Sequence, residues 1–299
     1  MENKFDVIII GGSYAGLSAA MALGRSLRNV LIIDSGKPCN RQTPHSHNFI
    51  THDGKTPKEI SDLAKAQVLQ YETVKFHDGV VAKMQKGAED FTINTESGEV
   101  FTAKKLILAS GIRDLMPNIS GFAECWGISV IHCPYCHGYE VKGEVTGILS
   151  NGDIAFDFSK LVFNLTKELT LFTNGKSNLN KEQTEKFSQN KIDIIEDEIE
   201  KVQHENGNIQ KIIFKNGKEV SLKALYAKIG FEQNINVEDL GIELNENGFI
   251  KVDMMQKTNI PGVFACGDNV TMMRSVANAV AQGNFAGAVV NKELSEEEF

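Results

Sequence analysis

The sequence lacks an apolar run long enough to cross a membrane as a helix. The run Val7–Ile10 is too short for the apolar segment of a signal peptide, follows Asp6 and leads into glycines. Basic residues are in deficit, with 31 Lys and Arg against 39 Asp and Glu and a formal net charge of −8. An acidic surface does not attract phosphate backbones. We therefore predict a cytoplasmic chain that binds neither membrane nor nucleic acid.

Cysteine is also scarce, with five residues in a chain of 299. Five cysteines in such a chain do not suggest a disulfide framework of the kind found in small secreted domains. Low-complexity tracts and short-period repeats are absent from the sequence. The length exceeds the usual size of one hydrophobic core, and 41% apolar and 23% charged residues are typical of globular proteins. We therefore expect two globular domains.

A strand, a glycine turn and a helix open the chain. The run Phe5–Ile10 predicts a buried parallel strand, and the turn Gly11–Gly16 leads into the Ala/Leu-rich segment Leu17–Leu23. A second apolar strand, Val30–Ile33, ends at Asp34. Together these segments predict a βαβ unit of about thirty residues.

The glycine turn resembles a dinucleotide-binding fingerprint. Glycine permits the tight turn and lets the backbone approach a diphosphate, which lies at the positive end of the following helix. Asp34 stands where an acidic side chain bonds a ribose hydroxyl. Ser13 replaces the second fingerprint glycine, and this small residue can still donate to phosphate. A plain strand-to-helix turn without a nucleotide is the alternative.

A second strand–turn–helix–strand pattern starts at Val145 and has a degraded fingerprint. Ser150 replaces the first glycine, Gly152 keeps the second, and Ala155 keeps the small third position. An NADPH site usually offers arginine after the next strand, but only Lys176 is cationic there. Binding of NADPH or NADH by this unit therefore stays open. The predicted residues of such a site are Ser150, Gly152, Asp153, Ala155 and Lys176.

The rest of the sequence completes the first unit after the second. Short strands joined by turns are predicted over residues 74–100 and 191–227. A strand ending at Gly267 and Asp268 precedes an apolar helix over residues 275–294. Because this last strand and helix match the first half in type, the sequence predicts an α/β fold with two Rossmann-like dinucleotide-binding domains. The second domain is inserted in the first.

Two of the cysteines stand in the segment Cys133-Pro134-Tyr135-Cys136-His137. Two thiols at this spacing can close a small disulfide ring, and His137 can supply or take a proton at neutral pH. Beside two nucleotide folds, the motif favours a redox disulfide linked to a flavin. A glutaredoxin-like motif would follow the first strand, and covalent haem attachment would need export. A metal site would need two more ligands, for which Cys39, Cys125 and His132 are poor candidates, so no metal is predicted.

An ordered set of four motifs resembles the low-molecular-weight thioredoxin reductase family over nearly the whole chain. They are Gly11–Gly16, Ala109-Ser110-Gly111, the CxxC motif before the second βαβ unit, and Thr258–Asp268. Within that family, the segment Cys133–Glu140 is similar to small flavoprotein disulfide oxidases, which close dithiols in gliotoxin and holomycin biosynthesis. The typical reductases have an aspartate after the second cysteine, where this sequence has His137.

The resemblance implies FAD as the cofactor and a role for each matching position. Cys136 would face the flavin, Cys133 would exchange with the substrate, and His137 would serve as the neighbouring acid or base. A helix beginning near Ser275 would direct its dipole at the isoalloxazine ring and stabilise negative charge there. The implied FAD-binding residues are Gly11, Gly12, Ser13, Ala15, Gly16, Asp34, Ser35, Arg41, Asn48, Asp53, Ala109, Ser110, Gly111, Gly267, Asp268, Arg274, Ser275 and Val276. Loop capping is the alternative for Arg41, Asn48 and Asp53.

The resemblance also implies the domain boundaries. Residues 1–114 and 237–299 would form the FAD-binding domain. Residues 115–236 would form the inserted NAD(P)H-binding-like domain, which contains the CxxC motif. A homodimer is a further implication of the same resemblance.

The expected activity is that of an FAD-dependent dithiol/disulfide oxidoreductase. Electrons would pass between the flavin and the Cys133–Cys136 disulfide, and on to a thioredoxin-like protein or a small-molecule dithiol or disulfide. In the reductase direction, which we place first, NADPH or NADH would reduce the flavin. In the oxidase direction, favoured by the degraded second fingerprint and by His137, a dithiol would reduce the enzyme and dioxygen would reoxidise it. The motifs are also compatible with a flavin redox sensor and with a metal-binding or electron-carrier protein.

Overall fold

A computed structural model describes residues 3–299, and the chain divides into two units. The first unit contains the residues up to Arg41 together with Asn48–Arg113 and Phe231–Phe299. The second unit contains Gln42–His47 and Asp114–Gly230. The boundaries at residues 114 and 236, and the nucleotide assigned to each domain, stay predictions.

A mostly parallel sheet forms the centre of the first unit. Its strands are β1 (Lys4–Ile10), β2 (Val30–Asp34), β3 (Val74–Asp78), β4 (Val81–Lys86), β5 (Phe91–Thr95), β6 (Val100–Leu108) and β17 (Val263–Ala265). Their order is β3-β2-β1-β6-β5-β4, with β17 also paired to β6. The apolar residues of β1 and β2 are buried, as expected for parallel strands that are covered on both faces.

Strand β6 brings the two halves of the first unit together. Its end is parallel to β1, with Leu108 opposite Ile10. On its other edge, Ala265 of β17 also lies opposite Leu108, again in parallel. The carboxyl ends of β1, β6 and β17 therefore meet at one edge of the sheet, which is where ligands bind in open α/β folds.

Two helices of the first unit pack unusually closely against each other. The helices of this unit are α1 (Tyr14–Arg25), α2 (Pro57–Val68), α7 (Val276–Glu298) and a 3-10 helix (Val237–Leu240). A Cβ atom added at Gly283 of α7 would lie 2.0 Å from the Ala15 carbonyl oxygen, and one added at Gly287 would lie 2.6 Å from that of Ala19. Only glycine permits this approach between the backbones of α1 and α7.

The second unit contains a parallel sheet and a smaller antiparallel sheet. The strands of the parallel sheet are β8 (Val130–Ile131), β9 (Thr146–Leu149), β10 (Leu169–Phe172), β11 (Asp193–Ile195) and β15 (Ala224–Ala227), in the order β11-β10-β9-β15-β8. Those of the antiparallel sheet are β12 (Ile199–Glu205), β13 (Asn208–Phe214) and β14 (Glu219–Ser221). The helices are α3 (Phe122–Cys125), α4 (Pro134–His137), α5 (Gly152–Phe163) and α6 (Lys181–Gln189). Outside these sheets, the short strands β7 (Ile112–Asp114) and β16 (Phe231–Gln233) pair with each other, and β16 belongs to the first unit.

Each unit has its own hydrophobic core on both faces of its main sheet. In the first unit, one core packs under α1 and α7, and the other packs against β4 and β5. In the second unit, one core contains Trp126 and Phe214, and the other contains Phe158 and Tyr226. Two βαβ units, with the second inserted in the chain of the first, confirm the predicted fold class. A search of residues 3–299 finds no helix long and apolar enough to cross a membrane.

Candidate functional site

The glycine turn after β1 holds its backbone against two neighbouring segments. Gly11 has a φ of +106°, and a Cβ atom there would lie 2.2 Å from the Ala109 carbonyl oxygen. A Cβ atom at Gly16 would lie 1.8 Å from the Gly11 carbonyl oxygen. Side chains at either position would therefore push the turn open, and glycine keeps its backbone accessible to a ligand.

Asp34 closes the turn from the end of β2. Its Oδ1 accepts a hydrogen bond of 2.8 Å from the Gly12 amide, and its Oδ2 accepts one of 3.1 Å from the Gly36 amide. The carboxylate thus stands one strand away from the glycine turn, at the position from which an acidic residue reaches a ribose. Ser35, which was predicted beside it, is exposed.

The amino terminus of α1 is suited to an anion. Ser13 is the N-cap residue, and within the described part of the chain its side chain caps none of the first amides of α1. The first turn of α1 also has no acidic side chain to oppose a phosphate. The first amides of a helix and the positive end of its dipole can bind a diphosphate, so this terminus fits the predicted contact. Ala15 is buried in the first turn.

The ends of β6 and β17 supply the remaining predicted contacts. Ala109, Ser110 and Gly111 follow β6, and the buried Ser110 hydroxyl has no hydrogen-bond partner among residues 3–299. After β17, the Gly267 amide donates to Gln282 Oε1 at 2.8 Å. Asp268 forms an ion pair of 3.5 Å with Arg274. The unused hydroxyl and the bare helix terminus at one sheet edge fit a dinucleotide such as FAD.

The helix that follows β17 begins with a capped first turn. Ser275 is the N-cap residue of α7, and its hydroxyl accepts from the Asn278 amide at 3.2 Å. Val276 is the first residue of the helix. These positions agree with the predicted helix start, although their contact with a flavin ring stays a prediction.

The predicted loop residues form contacts within their own loop. An Arg41 guanidinium nitrogen donates to the Pro38 carbonyl oxygen at 3.1 Å. The Asn48 amide donates to Asp53 Oδ1 at 2.7 Å, and Asn48 has a φ of +60°. These bonds are the ones expected if the three residues cap their loop. A role for these residues in FAD binding stays a prediction.

The corresponding helix terminus of the second unit is already occupied. Asn151 Oδ1 accepts from the amides of Gly152 and Asn178, both at 2.8 Å. The Asn151 amide group donates to the Lys176 carbonyl oxygen at 2.9 Å. The side chain of Asn151, within the degraded fingerprint, therefore connects the loop after β10 to the start of α5 by hydrogen bonds.

Negative charge surrounds the same helix terminus. Asp153 lies in the first turn of α5 and accepts from the Gln183 side chain at 2.7 Å. Glu196 accepts from the Ser177 amide at 2.9 Å. Ser150 and the buried Ala155 flank this turn, and the exposed Lys176 is the cation predicted there. Negative charge at a helix amino terminus opposes the binding of a phosphate there.

The redox motif forms a single helical turn. Cys133 is the N-cap residue of α4, and its carbonyl oxygen accepts from the amides of Cys136 and His137, both at 3.3 Å. Both cysteines are half-buried. A Cβ atom at Gly138 would lie 2.3 Å from the Pro134 carbonyl oxygen, so the turn can end only at a residue this small.

The environment of this turn lowers the pKa of the Cys133 thiol. A hydrogen bond from Cys136 lowers the pKa of Cys133 to about 7, against the opposing effect of burial. The amides of Cys136 and Tyr135 and the charge of Lys228 contribute to the same lowering of the pKa. A thiol with this pKa is about half thiolate at neutral pH, which suits thiol exchange.

A histidine and carboxylate group lies beside the redox motif. Burial lowers the pKa of His137, Glu140 raises it and His47 lowers it. The rings of His137 and His47 lie 6.5 Å apart, and His47 Nε2 is 3.5 Å from Glu140 Oε1. His137 is therefore held largely neutral at pH 7, and a neutral imidazole can accept a proton.

Sequence reasoning missed several members of this site. Lys228 and Tyr226 come from the end of β15, about ninety residues after the motif, and His47 comes from the loop before α2. In α/β folds, binding residues lie at the carboxyl ends of parallel strands. The prediction of β15 as such a strand was the signal that could have pointed to Tyr226 and Lys228. Groups of three or more His, Cys, Asp and Glu side chains able to hold a metal ion are absent from residues 3–299.

Comparison with known proteins defines the class of this chain. Residues 5–283 match the pyridine nucleotide-disulphide oxidoreductase family, and the chain belongs to this family. It is an FAD-dependent disulfide oxidoreductase of the thioredoxin reductase type.

Particular relatives resemble the chain over nearly its whole length. Thioredoxin reductase tcpT of Claviceps purpurea (strain 20.1) is 34% identical over 307 residues, covering 98% of this chain and 95% of the relative. The crystal structure of the oxidoreductase from Agrobacterium tumefaciens is 35% identical, with a TM-score of 0.92 and coverage of 98% of this chain and 99% of that one. The crystal structure of HlmI has a TM-score of 0.93 at 28% identity, covering 100% of this chain and 95% of that one.

Proposed function

We propose that this chain works as a dithiol oxidase that does not draw its electrons from NAD(P)H. The observation that supports this direction is the second nucleotide fold, whose helix terminus is capped by the Asn151 side chain and has the acidic Asp153 in its first turn. The overall reaction converts one dithiol and one dioxygen into one cyclic disulfide and one hydrogen peroxide. When bound, FAD supplies a carrier of two electrons between the protein thiols and dioxygen.

Within this function, Cys133 is the sulfur that exchanges with the substrate. A substrate thiolate attacks Cys133 Sγ, the bond between Cys133 and Cys136 breaks, and Cys136 leaves as a thiolate. The second substrate thiolate then attacks the substrate sulfur of the mixed disulfide, and Cys133 leaves as a thiolate. The lowered pKa of Cys133 supports this role, because a more acidic thiol leaves faster.

The histidine group takes up the protons of the reaction. Forming a disulfide from a dithiol releases two protons, and burial keeps His137 neutral and able to accept one. His47 and Glu140 lie next to His137 and can pass the proton toward solvent, since the side chain of Glu140 is 41% exposed.

A reductase that takes electrons from NADPH is the second candidate. It is supported by the name of the relative thioredoxin reductase tcpT, which matches 98% of this chain. In this direction a thioredoxin-like protein would be the substrate, and the second unit would have to bind NADPH with Lys176 as its cation.

Anaerobic reduction of the purified FAD-containing enzyme separates the two candidates. We expect dithiothreitol to bleach the visible flavin bands and NADPH or NADH to leave them unchanged. In air, dithiol consumption should produce hydrogen peroxide in a ratio of one to one. Rapid bleaching by NADPH would support the reductase and contradict the oxidase.

A matched variant tests the role of the cysteine pair in the same experiment. The Cys133→Ser enzyme should retain FAD, because Cys133 lies outside the predicted FAD-binding residues. Its flavin should no longer be bleached by dithiothreitol. Bleaching at the unmodified rate would show that the dithiol reduces the flavin without the protein sulfurs.

A further inference from the structure

The end of β15 places two side chains beside the redox motif. β15 is parallel to β8, and Tyr226 lies opposite Ile131 in the register of these two strands. The chain leaves β8 after Ile131 and reaches Cys133 two residues later. Tyr226 lies in β15, and Lys228 follows the last residue of that strand. Both therefore lie at the edge of the sheet where Cys133 follows β8.

Lys228 holds a positive charge next to the backbone of the motif. Its Nζ lies 3.4 Å from the carbonyl oxygen of His132, the residue before Cys133. The same Nζ lies 4.4 Å from the centroid of the Phe158 ring. Lys228 is an exposed residue, and these two contacts hold its ammonium group beside the residue that precedes Cys133.

Tyr226 places a hydroxyl under the same turn without giving it a partner. The side chain is fully buried, and its hydroxyl has no hydrogen-bond partner among the residues that the structure describes. A Cβ atom at Gly138 would lie 2.9 Å from this hydroxyl, so the oxygen lies directly against the end of α4. The ring packs edge-on against Phe158 at 5.7 Å. Burial of an unpaired hydroxyl costs free energy, which a donor role in another state of the site would recover.

We propose that Lys228 and Tyr226 act directly on the sulfur of Cys133 and stabilise it when it leaves as a thiolate. This inference rests on the proposed function, in which Cys133 is the exchange sulfur. As the second substrate thiolate attacks the mixed disulfide, the bond between Cys133 and the substrate breaks and Cys133 keeps the electron pair. The Tyr226 hydroxyl then donates a hydrogen bond to that sulfur, and the Lys228 ammonium attracts its charge.

The charges around Cys133 agree with this arrangement. Burial, Cys133 and Glu140 all raise the pKa of Tyr226, so its hydroxyl keeps the proton that it must donate. The other titratable groups at this turn are Cys136 and His137 on α4, with Glu140 and His47 beside them. Among the groups that act on Cys133, Lys228 is the cation.

Alkylation of the reduced holoenzyme with iodoacetamide at a series of pH values tests the proposal. Peptide mapping by mass spectrometry assigns the rate to Cys133, and the rate should rise with a midpoint near pH 7 in the unmodified enzyme. For Tyr226→Phe and for Lys228→Met we expect the midpoint to rise by about one pH unit, which lowers the rate at pH 7 about five-fold. Lys228→Arg should keep the midpoint close to that of the unmodified enzyme, because arginine keeps the positive charge.

A second measurement separates this role from a merely structural one. Tyr226→Phe removes an unpaired buried hydroxyl, so its melting temperature should stay equal or rise while the reactivity of Cys133 falls. Tyr139→Phe is the matched control, since Tyr139 lies just after the motif with 69% of its surface exposed. This control should leave the midpoint unchanged.

The outcomes that overturn the inference differ from those that overturn the proposed function. An unchanged Cys133 midpoint in both Tyr226→Phe and Lys228→Met would overturn the inference. A fall in reactivity that follows a fall in melting temperature in both variants would also overturn it. Alkylation of Cys136 ahead of Cys133 in the unmodified enzyme would instead contradict Cys133 as the exchange sulfur.

Discussion

Cys133 differs from the other cysteines of the chain in the groups around its sulfur. Cys125 and Cys266 are buried in apolar cores, and burial raises the pKa of Cys125 to about 11 and that of Cys266 to about 12. Cys133 has a pKa of about 7 because Cys136, two amides and a lysine charge outweigh its burial. The same residue type thus gives thiols with a raised pKa in the cores and a thiol with a lowered pKa in the CxxC motif.

The largest cause of the low pKa of Cys133 is the hydrogen bond from the Cys136 side chain, which a single substitution can remove. Cys136→Ala deletes the donor that lowers the pKa of Cys133, whereas Cys136→Ser keeps a hydroxyl donor in its place. The alkylation midpoint of Cys133 should therefore rise toward its ordinary value in Cys136→Ala and rise less in Cys136→Ser. Since the thiolate reacts, the rate at pH 7 falls as the midpoint rises. Equal midpoints in the two variants would show that the Cys136 side chain is not the cause.

At the scale of elements, the packing of α7 on α1 supports the proposed diphosphate site. α1 offers its bare amino terminus at the glycine turn, and the glycines of α7 let the two helix backbones approach without side chains between them. The closest approach is at Ala15, within the first turn of α1. Any side chain added at this contact displaces the end of the helix that would bind phosphate.

Gly283→Ala tests this helix contact. Alanine favours a helix over glycine by about 1 kcal/mol, which alone would stabilise α7. Here the added methyl group would lie 2.0 Å from the Ala15 carbonyl oxygen, a backbone atom that cannot move alone. We expect a net destabilisation of roughly 1–3 kcal/mol and a lower FAD content, measured by thermal unfolding and flavin absorbance.

A neighbouring substitution provides the control for this prediction. Asn284→Ala introduces alanine at the next, exposed position of α7. It should keep the FAD content and leave stability equal or slightly higher, because alanine is the better helix former. Stabilisation by Gly283→Ala as well would contradict the close contact.

At the scale of the whole molecule, one chain contains two nucleotide-type folds whose helix termini differ. The terminus of α1 has no acidic residue in its first turn, and that of α5 has Asp153 and a capping Asn151 side chain. The first arrangement favours an anion and the second opposes one. The two folds should therefore respond differently to their nucleotides.

Thermal unfolding of the FAD-depleted protein measures this difference. FAD at about 100 times its Kd should stabilise the folded state by about 2.7 kcal/mol. For a chain of this size, we expect the melting temperature to rise by roughly 5 °C. NADPH at the same concentration should produce no rise. A comparable rise with NADPH would mean that the second fold opens to accept it.

The sequence predicts those parts of this molecule that depend on short-range patterns. The first glycine turn, the redox motif and the helix predicted over residues 275–294 all follow from spacing within one segment, and the structure has α7 at Val276–Glu298. The partners of the redox motif could not be predicted in this way. His47 precedes His137 by ninety positions, and Lys228 follows it by about as many. Only the strand order and the path of the loop bring them together.

The second fingerprint shows a different limit of sequence reasoning. Its substitution at Ser150 and its lone cation Lys176 leave nucleotide binding open. What the side chain of Asn151 does depends on the loop after β10, which lies more than twenty residues away. The residue type of Asn151 therefore does not predict these hydrogen bonds, which depend on the folded position of the loop.

The sequence contains a single tryptophan, and its place gives the second unit a built-in optical reporter. The Trp126 indole stacks on His132 with ring centroids 5.9 Å apart and donates from Nε1 to Asp114 at 3.1 Å. His132 immediately precedes Cys133, so events at the sulfur pair change the surroundings of the indole. Its fluorescence emission can therefore follow thiol exchange in real time, without an attached dye and without a second indole in the background.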